Sequence, residues 1–224
     1  LIFFFGYLFI AVSWGLNSSL QIYMNTYFWE FKSIMIASFL GIYAMSTFTA
    51  FLLIPRLVLY IEKRSILLFS ITFAALIPPI PIILYLNDIL PNSGSWNLFF
   101  ALAPFIYIGN TCLSSSAIVR ESMLGDISDE VELESKIGQQ GLMFASSSLI
   151  GKLNTGLGIL VAGLALEFIG FPRGSGILPN ADQIFSLAMV QGPFVAVLMI
   201  IPFGIFSLYS INRQKHKMIL SQLD

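Results

Sequence analysis

Apolar and polar positions fall into long alternating blocks along this chain, without the one-sided helical stripes or short alternations of a soluble fold. Each apolar block is long enough, at roughly 1.5 Å per helical residue, to cross a hydrocarbon layer of about 30 Å. The pattern predicts six helices, over about 2–28, 33–60, 65–86, 96–118, 139–167 and 183–210. The first ends in Tyr27, Phe28 and Trp29, an aromatic group suited to a membrane interface. Pro78, Pro79 and Pro81 interrupt the third, and Pro104, Pro193 and Pro202 fall within the fourth and sixth. Between packed membrane helices such prolines act as kinks, because neighbouring helices satisfy the backbone groups they free. No internal repeat or low-complexity segment is evident.

Composition turns this pattern into a fold class. The chain is 57% hydrophobic and 10% charged, whereas a soluble domain is about 25% charged. Too few polar groups remain to cover a water-exposed surface. The expectation is an all-α integral membrane protein, with six transmembrane helices over residues 1–210 and a polar tail over 211–224. The bilayer is then an immediate partner, and a net charge of −1 argues against nucleic acid. A single cysteine, Cys112, rules out an intrachain disulfide, and with His216 as the one histidine no zinc-type cluster is possible. No metal site and no cofactor are expected. The chain opens inside an apolar run without an initiator Met, so a portion on its N-terminal side is expected to be missing.

Basic residues orient the helices. Eight of them (Arg56, Lys63, Arg64, Arg120, Lys136, Arg213, Lys215, Lys217) fall on the 2–3 and 4–5 connections and the tail, against Lys32 and Arg173 on the other side. The richer side is expected to face the cytoplasm of the cell (inner) membrane, with the C-terminus there too.

Candidate chemistry follows from polar residues at apolar depth. Lys152 lies near the middle of the fifth predicted helix. An ammonium group at that depth costs about 2.5–3.5 kcal/mol on the mildest scale, so it is expected to face a wet cavity or a partner. A role in binding or coupling a solute competes with a structural ion pair to an acid elsewhere in the bundle. Gly141, Ala145, Ser148, Lys152, Thr155 and Gly156 follow one another at helical spacing, and Gly151, Asn154 and Gly158 run beside them. Such small residues either admit a ligand or simply let helices pack closely. Asn17 and Gln21 lie one turn apart in the first helix, with Tyr23 beyond, and either line a cavity or bond to a neighbouring helix. Six of the twelve acids lie between Arg120 and Lys136 (Glu121, Asp126, Asp129, Glu130, Glu132 and Glu134). This stretch reads as a solvated helix; Asp126 and Asp129, close to Arg120, also suit a cytoplasmic gate of charge pairs.

The segment from Asp126 through Asp129, Glu132 and Gly141 to Lys152 resembles the glycoside–pentoside–hexuronide:cation symporters of the major facilitator superfamily. The three acids at steps of three fit that pattern, as does the spacing of 23 residues from Asp129 to Lys152. Asn25-Thr26-Tyr27-Phe28-Trp29 is similar to the same group. Gly138 and Gln140 depart from it, standing where the family usually carries Arg and Glu. The resemblance implies that this chain is the second six-helix half of a twelve-helix carrier, helices seven to twelve, with the first half missing. It implies that Lys152 sits at the cavity, with Ser148 on its wall, while Asp126, Asp129 and Glu132 belong to the inner gate. The coupling ion, Na⁺ or H⁺, would be held mainly by the first half.

The function expected is cation-coupled symport of a small polar solute, such as a sugar or glycoside, by alternating access. A lysolipid carrier on the same scaffold is the alternative. A membrane-embedded lipid-modifying enzyme is disfavoured, because the acidic run contains no histidine and no metal-ligand spacing.

Overall fold

The computed structural model describes residues 2–172, 177–208 and 218 of the chain, apart from the side chains at 2, 154 and 155. Every regular element is helical, and six stretches are long and apolar enough to cross a membrane. The expected all-α fold with six membrane-crossing helices is what these residues form.

Helix α1 covers Ile2–Tyr23 and widens into a π-helical turn over Met24–Phe28. The turn closes with the Trp29 amide on the Met24 carbonyl at 2.9 Å, and Glu30 stops it by taking φ +53°. Helix α2, Ser33–Tyr60, matches the predicted second span at both ends. The third span is one crossing in two pieces, α3 (Lys63–Leu76) and α4 (Pro79–Leu86). The break falls at Pro78, where consecutive prolines supply no amide hydrogens to continue the ladder. The sixth crossing comprises α7 (Ala181–Met189), a π-helical turn over Val190–Phe194 holding Pro193, and α8 (Val195–Phe206). Asn180 and Gln183 form a reciprocal cap at the start of α7.

The fourth crossing corrects the sequence reading. Helix α5 does not end near 118 but continues over Trp96–Ser135, 40 residues. That is about 60 Å, twice the hydrocarbon thickness. The acidic segment is therefore the far end of a membrane helix, with no separate connecting loop before it. Lys136, left-handed at φ +56°, ends α5, and α6 follows over Gln140–Phe168.

Packing explains the layout. Helix α1 lies against α6 and α8, α5 against α2 and α3, and α3 also meets α8. One apolar core gathers Leu16, Leu20, Met24, Phe39, Leu98 and Leu187 at one end of the bundle. A second gathers Phe3, Ile10, Leu67, Val119, Met123 and Phe206 at the other. Between the two ends α1 and α5 stay apart, and that gap is where a cleft forms. Helices α2 and α6 are the least covered, with 17% and 12% of their apolar windows buried.

The close approach of α1 and α6 depends on glycine. A Cβ added at Gly158 would stand 2.4–2.8 Å from the backbone of Gly15, whereas one added at Gly163 would meet nothing within 4 Å. Alanine normally stabilises a helix relative to glycine by about 0.5–1 kcal/mol. Gly163→Ala is accordingly expected to hold or raise thermal stability in detergent. Gly158→Ala, forced to push α6 from α1, is expected to lower it by about 1–3 kcal/mol. Equal melting temperatures for the two variants would contradict this account of the contact.

Candidate functional site

Asn17 and Gln21 project from one side of α1, and the π-helical turn brings Asn25 beneath them. Gln191 reaches the same place from the π-helical turn between α7 and α8, where it is buried. Its Nε2 donates to Asn17 Oδ1 at 3.0 Å and to Gln21 Oε1 at 2.9 Å. Gln21 Nε2 donates in turn to Asn25 Oδ1 at 3.3 Å. A chain of amides thus joins the first and sixth crossings in the same direction at each link.

Facing it is a second polar group, where α5 crosses α2. Asn110 Nδ2 donates to Ser46 Oγ at 2.6 Å and approaches the Tyr43 carbonyl and Thr47 Oγ1, both at 3.4 Å. Thr47 and Ser114 hydroxyls lie 3.2 Å apart. The two polar walls bound a cleft of about 520 Å³, inside the ~300–1,000 Å³ range of small-molecule sites. Trp14, Trp29, Phe39 and Tyr43 add aromatic surface, and Ala74, Ala75 and Ile82 close the back. None of the lining residues carries a formal charge. Hydroxyl and amide groups alternating with aromatic faces can hold a small uncharged polar molecule, while an ion would find no counter-charge there.

The charged residues gather elsewhere, toward one end of α5. Lys63 Nζ bridges both carboxylate oxygens of Asp126, at 2.7 and 2.8 Å, and Asp126 is buried. Arg120 was expected beside these acids but faces away. Six residues along a helix separate two side chains by about 120° around its axis, so Asp126 meets α3 while Arg120 turns to α1. Its guanidinium stacks 3.8 Å from the centre of the Tyr7 ring. It also approaches Glu121 at 3.5 Å, and its Nε has no hydrogen-bond partner among the described residues. Glu121 accepts from the Ser147 hydroxyl of α6 at 3.1 Å. Arg64 donates to the Ser207 carbonyl just beyond α8, at the negative end of that helix. Asp129 and Glu132 are half-buried farther along α5, and the Lys136 amide closes on the Glu132 carbonyl.

Lys152 does not line the cleft. It is exposed on α6, with no ion pair or hydrogen bond among the described residues. Ser148 is exposed on the same strip as Gly141, Ala145 and Gly156, and a Cβ at either glycine would meet nothing within 4 Å. The strip thus faces outward from this half, and the structural ion pair considered for Lys152 is absent among the described residues. The side chains of Asn154 and Thr155, together with Arg173, Arg213, Lys215, His216 and Lys217, lie outside the described residues. Asn17 and Gln21 are brought together in one cleft; Lys152 and Ser148 belong to another surface, and the charge cluster to a third.

Sequence reasoning passed over Gln191, Asn110, Tyr7 and Ser147. Gln191 and Asn110 carried the same signal as Asn17, an amide deep in an apolar span, and weighing every such amide alike would have found them. Tyr7 and Ser147 gave none, since a tyrosine or serine in a membrane helix is ordinary.

A model of the MFS/sugar transport protein family matches residues 1–213. No curated protein matches the chain closely enough to name a relative. The six apolar crossings, the uncharged cleft between them and a family match over nearly the whole length lead to one conclusion: the chain is a multi-pass membrane protein that belongs to the MFS/sugar transport protein family of the major facilitator superfamily.

Proposed function

We propose that this chain is the C-terminal half of a secondary transporter that carries a sugar or glycoside together with Na⁺ or H⁺. The observation that carries this reading is the cleft between α1 and α5, walled by Asn17, Gln21, Gln191 and Asn110 and by aromatic rings. Sugars present hydroxyl groups around their edges and apolar C–H faces, and such a lining complements both. Asn17 and Gln21 are the proposed substrate contacts.

A second six-helix half is the proposed partner. Helices α2 and α6 support it, since each packs on one flank of the bundle and leaves most of its surface uncovered. The outward strip of α6, with Ser148 and Lys152, would meet that half across the central cavity. There the Lys152 ammonium would lie near carboxylates of the other half and compete with the coupling cation for them. The rocking of two halves about a central site is the motion expected of such a scaffold.

The charge cluster on α5 is the proposed cytoplasmic gate, an orientation that the bias of basic residues supports. Asp126 and Lys63 form its core, and Asp129, Glu132 and Arg120 flank it. Gly138 and Gln140 remove two charges that similar symporters carry there; the Lys63–Asp126 pair is the contact on which this gate would depend.

Two experiments test these roles in the full-length protein. Lys152→Ala is expected to abolish cation-coupled uptake in vesicles while leaving melting behaviour in detergent unchanged; wild-type rates would reject the coupling role. Asp126→Ala is expected to leave the half-buried Lys63 without its carboxylate, to lower stability measurably, and to lower uptake severalfold. Exchanging the two residues, Lys63→Asp with Asp126→Lys, is expected to recover part of both losses. A double exchange no better than the single variants would mean the pair does not act as a unit.

A further inference from the structure

Within the cleft one buried hydrogen-bond acceptor has no partner among the described residues, Gln191 Oε1. Gln191 is 7% exposed and lines the cleft. Its amide is one link of a directed network. Nε2 is directed at two oxygens, Asn17 Oδ1 and Gln21 Oε1, and turning this amide alone would set oxygen against oxygen at both. Gln21 Nε2 donates onward to Asn25 Oδ1, and no donor among the described residues reaches Gln191 Oε1. In this arrangement the buried oxygen lies on the wall of the cleft, where a donor of a bound molecule would satisfy it.

On the facing wall, Asn110 Nδ2 is already engaged with Ser46 and approached by the Tyr43 carbonyl and Thr47. No lysine, arginine or histidine lines the space to neutralise an anion. Lys152 is on the outer strip of α6.

We infer that Gln191 Oε1 accepts a hydroxyl hydrogen of the transported solute, and that this subsite admits neutral hydroxylated rings while rejecting their carboxylate or phosphate counterparts. The inference rests on the transporter reading above and narrows its substrate class. A hydroxyl supplies the hydrogen the oxygen lacks. A carboxylate at the same point brings only lone pairs, faces Gln191 Oε1 with like partial charge, and loses its water without gaining a cation. Trp14 and Trp29 then cover the apolar face of the ring.

The test uses the full-length transporter in proteoliposomes and matched probes: methyl glucoside against methyl glucuronide, and methyl galactoside against methyl galacturonide. The members of each pair differ only in oxidation at one carbon. The neutral member of at least one pair is expected to be carried with an apparent affinity about tenfold or more above its acid. Gln191→Met keeps the length of the side chain and removes both amide atoms. It is expected to raise KM for that glycoside about tenfold with kcat nearly unchanged. One monodeoxy analogue of the glycoside is expected to be about tenfold weaker on the wild type and to lose nothing further on the variant, because both changes remove the same hydrogen bond. A purely structural role for Gln191 would weaken every analogue alike.

Should Gln191→Met fail to fold, Gln191→Asn, which shortens the reach by one methylene and keeps the amide, is expected to show the same pattern more weakly. An acid carried as well as its neutral partner, or deoxy losses independent of residue 191, overturns the subsite and leaves the sugar-transport reading intact. Uptake of neither member of either pair overturns that reading, and the subsite with it.

Discussion

An amide side chain buried among apolar helices has to find its hydrogen bonds on another helix, since lipid offers none. In this protein that requirement is met by the link from Gln191 to Asn17 and Gln21, which joins the sixth crossing to the first. Both helices are widened into π-helical turns beside the link, over Met24–Phe28 and Val190–Phe194. A π-helical turn admits an extra residue into the helix and leaves its backbone less tightly wound, which is why such turns gather at functional sites. The amide chain holds the two turns together, and the cleft takes its shape from that junction.

Covered and uncovered surfaces divide the bundle. Helix α1 is drawn onto α6 where Gly15 and Gly158 meet backbone to backbone, while α5 is drawn onto α2 through Asn110, Ser46 and Thr47. The two inner helices are pulled toward opposite flanks, and space remains between them. The cleft is thus a consequence of where small and polar residues occur on α1 and α5. Both ends of the bundle are packed with phenylalanine, leucine and methionine, while Trp14 of α1 and Phe105 of α5 lie on the walls of the cleft between them.

Much of this fold was legible in the sequence, because a membrane span is a signal of length and hydropathy. The second helix was read to its first and last residues, and the proline run marked the break between α3 and α4. The end of the fourth span was misjudged at about 118, since hydropathy detects where lipid stops and not where a helix stops; α5 runs on through Ser135 over a stretch rich in helix-favouring glutamate. Of the site residues, Asn17 and Gln21 could be grouped because one turn of a single helix relates them. Gln191 is more than 160 residues from either, and only the tertiary packing of the sixth crossing on the first brings them within 3.0 Å. Arg120 and Asp126 failed for the converse reason: nearness along the chain put them on different sides of α5.

Charge is distributed along the bundle in a way that separates two tasks. The amide-lined cleft has no charged group, whereas Lys63, Asp126, Arg120 and Glu121 cluster toward the far end of α5, and Lys152 lies on the outer strip of α6. A buried ion pair gives tight, geometry-dependent closure, because separating its members exposes each to an uncompensated field. Such a pair suits a contact that is made in one state and broken in another. A neutral cleft has the opposite property. Its hydrogen bonds exchange with those of water at small net free energy, so a solute can enter and leave without a deep trap. On the proposed function, recognition by amides and closure by charges would keep binding reversible while the conformational states stay distinct.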